Sequence, residues 1–323
     1  MKTKRLGNSD LLITPLASAL GPSAARVGNL AGVNRRTNSR SRRSTARSTS
    51  TFTGSIPRLF MVWGHSEEVV AFALRTWPGP RPYVFTKGGL RWDDQGYVHR
   101  DLSAASIHRE CEDSLRRLNI DVIDLYQIHW PTENLEEGWG AMSQLQKEGK
   151  VRWIGVSNFN VEELRRAQKI VPVTSLQPPY SLVRREVDQE ILPYCRSNGT
   201  GVIVYSPMAS GLLAGAMTRE RAACLPAEDW RSRDVEFQEP RLSRNLALVE
   251  RLREVGTRHG RPPGQVAISW ALRNQAVTGA IVGARSPKQV EGVMGAAELQ
   301  LTDEEISEIE GKNVTEPELV TAT

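Results

Sequence analysis

From Ser66 onward, short apolar runs alternate with stretches in which apolar residues recur every three or four positions. Continuous apolar runs suit strands buried on both faces, and the 3.6-residue recurrence suits helices with one buried stripe. Helices are predicted over Ser66–Trp77, Ala104–Leu118, Leu135–Glu148, Val161–Ile170, Val187–Asn198, Leu246–His259, Gly264–Asn274 and Pro287–Ala297. Strands are predicted over Tyr83–Thr86, Val122–Ile128, Val151–Val156, Thr174–Gln177, Gly201–Val204 and Ala280–Val282, with a long polar loop at Met208–Arg241. In the second helix Ser103 is a plausible N-cap, and Ile107, Cys111, Leu115 and Leu118 mark its core face. Glu110 and Glu112 with Arg116 read as its solvated face, with an i,i+4 pair. Alternation with short connections implies βα units and a parallel sheet, and the count supplies most of a (β/α)8 TIM barrel. Several of these strands run straight into polar residues: Lys87; His129, followed by Trp130; Ser157 and Asn158; Tyr205 and Ser206. In a parallel barrel such strand ends share one rim, where chemistry is sited.

Composition changes this picture at one place. No Asp or Glu lies between Asp10 and Glu67, whereas Arg26, Arg35, Arg36, Arg40, Arg42, Arg43, Arg47 and Arg58 do, and without those eight the formal charge of +5 would be −3. The chain is therefore a mildly acidic domain carrying one Arg/Ser/Thr-rich segment. Residues Asn34–Thr51 have neither period, which predicts a solvated, disordered stretch. Taken alone it would read as a nucleic-acid or targeting segment, a reading disfavoured because Arg/Ser/Thr richness without acids is also what out-of-frame, GC-rich coding sequence yields. The expected organisation is a barrel start at 1–16, an aberrant segment at 17–63, the barrel proper at 64–313 and a tail at 314–323. No apolar run approaches the roughly 20 residues of a membrane span, and Met1–Arg5 is followed by too short an apolar stretch for a secretory signal. Cys111, Cys195 and Cys224 are widely spaced, so free thiols in a reduced, cytoplasmic setting are expected. His65, His99, His108 and His259 have no convergent partners in sequence, and no metal site is expected.

The ordered segments Phe85–Lys87, Asp124–Pro131, Gly155–Phe159, Ser175–Tyr180, Tyr205–Leu213 and Gly283–Gln289 make the chain resemble the aldo/keto reductases. The resemblance covers about Ser66–Asn313 and Met1–Pro15. It implies reduction of small aldehydes or ketones with NADP(H), a Tyr protonating the carbonyl oxygen, a Lys assisting the Tyr, an Asp holding the Lys and a His orienting the substrate. Lys87 and His129 match two of the four. By the same resemblance Ser157, Asn158 and Gln177 meet the nicotinamide carboxamide and Tyr205 stacks on its ring. Ser206, Gly211, Leu212, Gly283, Arg285 and Gln289 resemble the phosphate end, while Trp130 reads either as a wall of the substrate pocket or as a cover on the barrel rim. An Arg there suits a 2′-phosphate and favours NADP over NAD.

The family's Asp and Tyr should precede Ser66 in a strand reading Asp-Thr-Ala and then Tyr-Gly. Ser55–Trp63 contains neither an acid nor a Tyr. A displaced reading frame accounts for this. If each residue is coded by the third base of one codon and the first two of the next, Thr53 to Val62 can spell Trp-Ile-Asp-Thr-Ala-Ala-Val-Tyr-Gly. Leu16–Ala25 can likewise spell Gly-Leu-Gly-Thr-Trp-Ala-Ile-Gly-Gly. As written, the chain is expected to be an impaired reductase. The alternative is a non-catalytic NADP(H)-binding or regulatory barrel.

Overall fold

The computed structural model describes residues 3–20, 55–57, 65–93, 97–284 and 286–311. Its strands are β1 (Lys4–Arg5), β2 (Leu12–Ile13), β3 (Leu16–Leu20), β4 (Ser55–Pro57), β5 (Phe85–Gly88), β6 (Leu90–Trp92), β7 (Val98–Arg100), β8 (Ile123–Ile128), β9 (Val151–Ser157), β10 (Ser175–Gln177), β11 (Gly201–Tyr205) and β12 (Val277–Gly283). The helices are α1 (His65–Arg75), α2 (Ala104–Leu118), α3 (Leu135–Lys147), α4 (Val161–Gln168), α5 (Ile191–Ser197), α6 (Arg219–Ala223), α7 (Arg241–Arg258), α8 (Pro263–Leu272), α9 (Pro287–Met294) and α10 (Asp303–Ile309). Eight strands form one sheet in the order β4-β3-β12-β11-β10-β9-β8-β5, every neighbouring pair parallel. β4 and β5 pack side by side, yet among the described residues no ladder joins them. The sheet is a curled barrel with a seam at its N-terminal strands.

Two apolar layers follow from strand alternation. One fills the space between sheet and helices and includes Tyr126, Ile128, Trp139 and Trp270. The other fills the lumen with Phe85, Leu125, Ile203 and Ile281. The β1–β2 hairpin closes the lumen's lower end with Leu6, Leu11 and Ile13. Gly7, at φ +53°, lies so close to the Thr174 carbonyl that a Cβ would collide with it.

Several expectations are refined. Ser103 caps α2 by accepting from the Ser106 amide at 3.4 Å. The predicted Val187–Asn198 helix is a 3-10 turn at Glu186–Asp188 followed by α5. The long polar loop holds 3-10 turns at Ala209–Ala214, Trp230–Arg233 and Val235–Phe237 as well as α6. The solvated face assigned to α2 is corrected in two respects. Glu112 pairs with Lys150 at 2.8 Å and Arg116 with Asp113, three residues away, because Lys150 offers Glu112 a cation across the helix layer. Glu110 is partly buried and turns inward to backbone amides. The segment expected to be aberrant contributes β3 from residue 17 and β4, while residues 21–54, with the predicted disorder, lie outside the described residues. Residues 312–323 lie outside them too.

Candidate active site

The strands raise polar residues to one end of the lumen in a regular way. Parallel register places Lys87 beside Gln127, Gln127 beside Gly155, and Ser157 beside Gln177. His129 continues the lumen side of β8 two residues beyond Gln127, and its amide donates to the Gly88 carbonyl at 2.9 Å. Lys87 and His129 are both almost fully buried, at 2% and 3% exposure. The lysine amine and the imidazole held there lie in a low dielectric, where each interacts more strongly with a bound polar group than it would in water.

Asn158 is the hub of the rim. It sits at φ +64°, a conformation that Asn tolerates better than most residues. Its side-chain amide donates to the His129 carbonyl at 3.0 Å and to Ser157 Oγ at 3.1 Å, while its Oδ1 accepts from the Tyr205 hydroxyl at 2.9 Å. Ser157 Oγ in turn donates to the Gln177 carbonyl at 2.8 Å. Three successive strand ends and the His129 strand are thus cross-linked by side chains, and the Tyr205 ring is fixed at the edge of the lumen. Gln127 extends the network below, donating to Ser175 Oγ at 3.1 Å and accepting from Gln177 at 3.4 Å. Sequence reasoning passed over Gln127, although its place two residues before His129 on the same strand face was a usable signal.

After Tyr205 the chain turns through four left-handed residues, Ser206 (φ +56°), Ala209 (+46°), Ser210 (+56°) and Gly211 (+94°). Such turns aim successive amides in one direction and make concave anion sites. A Cβ at Gly211 or at Gly283 would meet nothing within 4 Å, so neither glycine is demanded by packing within the chain. Both leave open backbone beside the rim. Leu212 is buried in a small cluster with Met217, Phe237 and Leu242, which anchors the turn. Ser286 caps α9 by accepting from the Gln289 amide at 3.3 Å, and Gln289 itself is exposed. Arg285 lies outside the described residues. Trp130, half-buried, carries the Arg100 guanidinium 4.9 Å from its ring centroid. The structure therefore brings Lys87, His129, Ser157, Asn158, Gln177 and Tyr205 to one end of the lumen, with Ser206 directly following and Gly283 closing the neighbouring strand β12.

These residues fit a nicotinamide dinucleotide. Gln177 keeps hydrogen-bonding capacity beyond its contact with Gln127, Asn158 Oδ1 and Ser157 Oγ each retain a lone pair, and the open backbone at Gly211, Gly283 and the start of α9 suits phosphate. Among the described residues no group of three or more His, Cys, Asp or Glu converges as a metal site, and no helix is long and apolar enough to cross a membrane.

Comparison with known proteins agrees. The chain is 36% identical over 252 residues to the aldo-keto reductase YhdN of Bacillus subtilis (strain 168), covering 76% of this chain and 75% of that one. It is 31% identical over 255 residues to the NADH-specific methylglyoxal reductase of Escherichia coli (strain K12), covering 75% and 77%. Among solved structures it is similar to the glycerol dehydrogenase AKR11B4 of Gluconobacter oxydans, with 30% identity, a TM-score of 0.81 and coverage of 100% and 99%. It also resembles the aldo-keto reductase AKR11C1 of Bacillus halodurans in its holo form, with 26% identity, a TM-score of 0.71 and 96% coverage of each chain. The model of the aldo/keto reductase family matches residues 61–314. On this match the chain belongs to the aldo/keto reductase family.

Proposed function

We propose that this chain binds NADP(H) at the rim and is built to reduce small aldehydes and ketones, with turnover impaired by the sequence preceding Ser66. The observation that carries the reading is the Asn158 hub, which ties the His129 strand end to the Tyr205 ring through two hydrogen bonds of 3.0 and 2.9 Å. Bound there, the cofactor supplies hydride. Tyr205 offers a flat face for the nicotinamide, and Ser157, Asn158 and Gln177 orient its carboxamide. Lys87 and His129 polarise the carbonyl oxygen that faces them, and Trp130 walls the mouth. Gly211 and Gly283 admit the pyrophosphate, with Ser206, Leu212 and Gln289 beside it, and Arg285 by its charge favours the 2′-phosphate of NADP. The relative described as NADH-specific marks NAD as the competing cofactor.

No acid lies between Asp10 and Glu67 and no Tyr before Tyr83, so the family's proton donor is missing from its expected place. Loss of a positioned general acid costs roughly 10²- to 10⁴-fold in rate. That sequence fact favours a second reading, a barrel that binds NADP(H) without turning over. Fluorescence titration with NADPH and with NADH, alongside a turnover assay on small aldehydes, tests both. Saturable NADPH binding with slow turnover supports the first reading, and binding with none supports the second. Absence of binding, or binding unaffected by Asn158→Gly, refutes the assignment of the rim.

A further inference from the structure

Lys87 is followed at once by the point where β5 leaves the barrel, Gly88 and then Gly89 at φ +89°. On the lumen side this turn is held by the His129 amide on the Gly88 carbonyl. From the helix side it is held by one carboxylate. Glu110 Oε2 accepts from the Gly89 amide at 2.9 Å and the Leu90 amide at 3.3 Å, and Oε1 accepts from Ser106 Oγ at 2.9 Å. Glu110 thus joins α2 to the two residues that fix where β5 ends. Gly88 has no room to shift toward the helices, because a Cβ there would collide with the Tyr126 hydroxyl.

We propose that Glu110 is a positioning residue for Lys87, holding the end of β5 while it is protonated and loosening it on ionisation. The inference rests on the reading of Lys87 as a site residue. Burial pushes the Glu110 carboxyl up to about 7 against the donors that face it, and the charge of Asp101 adds to the rise; in the neutral form the bond to Ser106 reverses, Oε1–H donating to Ser106 Oγ, while both amides still donate to Oε2. The direction of the effect follows from linkage. Where the clamp opens, Glu110 meets water and returns to an ordinary carboxylate value, so opening is disfavoured while the group is neutral. It grows easier as pH rises toward 7 and levels off above. The surrounding groups do not supply a counter-charge. Asp101, from the loop before α2, is engaged by Arg91, and Glu67 from α1 by Arg117. Glu137 from α3 accepts from the Ala104 amide. Cys111 and the buried Tyr126 phenol are both neutral, their pKa values raised chiefly by burial. Lys87, alternating with Thr86, belongs to the lumen side of β5.

Hydrogen exchange on the full chain tests this, with rates corrected for intrinsic chemistry. Protection of the Gly89 and Leu90 amides should fall by about tenfold or more between about pH 5.5 and 7.5. It should be pH-independent in Glu110→Gln, whose neutral carboxamide keeps the shape without the titration. Acetylation of Lys87, taken as the ratio of wild type to Glu110→Gln at each pH, should rise several-fold over the same range while exposed Lys288 stays near one. Coincident curves for the two proteins, or a flat Lys87 ratio, overturn the proposal. If Glu110→Gln does not fold, the wild type decides alone, since only 89 and 90, and not Ile128 on the neighbouring strand, should lose protection up to pH 7. Neither readout uses the cofactor, so failure of NADPH binding is a separate result.

Discussion

Replacing Gly54–Val62 with Trp-Ile-Asp-Thr-Ala-Ala-Val-Tyr-Gly should convert this chain into an active reductase. The replacement includes Ile56→Asp and Met61→Tyr. β4 runs Ser55–Pro57, and its register pairs Ile56 with Ala19, which itself pairs with Gly283. Position 56 therefore stands in the register row that runs from β4 through β3 to Gly283 at the end of β12. β4 lies beside β5, which carries Lys87. The carboxylate is thereby introduced on the strand next to Lys87, and the phenol five residues later. A cation beside a phenol lowers its pKa from about 10 toward a usable acidity, and a positioned acid is worth roughly 10²- to 10⁴-fold. Steady-state oxidation of NADPH with a panel of small aldehydes should show kcat rising by that range, with NADPH affinity changed far less. The same segment carrying Met61→Phe should lose the gain. A rebuilt chain that folds and binds NADPH yet turns over within about threefold of the parent refutes the placement of the missing acid.

Three further outcomes follow from other parts of the structure. Glu110 has a folded pKa of about 7 against an ordinary value of 4.5, so the native state binds its proton more tightly than the unfolded chain does. Its stabilising contribution is complete below about pH 4.5 and is lost as pH rises through 7; urea midpoints should show this slope, up to about 3 kcal/mol, and Glu110→Gln should flatten it. Gly88→Ala should cost about 1–3 kcal/mol by overpacking against the Tyr126 ring, and Tyr126→Phe in the same chain should restore only part of the thermal midpoint, since it removes the nearest clash, the hydroxyl, and leaves Cζ at 2.8 Å. Asn158→Gly should weaken NADPH binding at least about tenfold while leaving the thermal midpoint little changed, because it removes three side-chain ties at the rim and no core packing, and glycine keeps the φ +64° backbone without strain.

How far the sequence could be read depended on whether a residue's environment is local. The apolar runs of β8 and β9 are buried on both faces and carry their own signal, as does the stripe Ile107, Cys111 and Leu118 on α2. The strand-end polar residues were legible because parallel strands place their C-terminal ends on one rim whatever the loops do. Glu110 was not. Among Arg109, Glu112 and Asp113 it reads as one more surface charge, and only the left-handed turn at Gly89, 21 residues earlier in sequence, gives it two amides to accept from. The β6–β7 hairpin was also missed, since strands of three residues are too short to show a period.

The N-terminal seam is where sequence and structure bear on one question from opposite sides. The displaced frame places Asp-Thr-Ala across codons 55 to 58, and β4, defined by backbone pairing alone, spans Ser55–Pro57. The family match begins at residue 61, close to where the ordinary frame resumes. The alternative is a selected basic insert, and because only the translated residues fold, the pairing of β4 is compatible with either account. The two accounts differ in the coding DNA. A displaced strand requires the third bases of codons 53 to 61, joined to the codons that follow, to spell the missing Asp and Tyr. A selected insert leaves those third bases free. Reading the DNA from codon 16 through codon 66 therefore decides between them, and third bases that spell anything other than the strand refute the displaced frame.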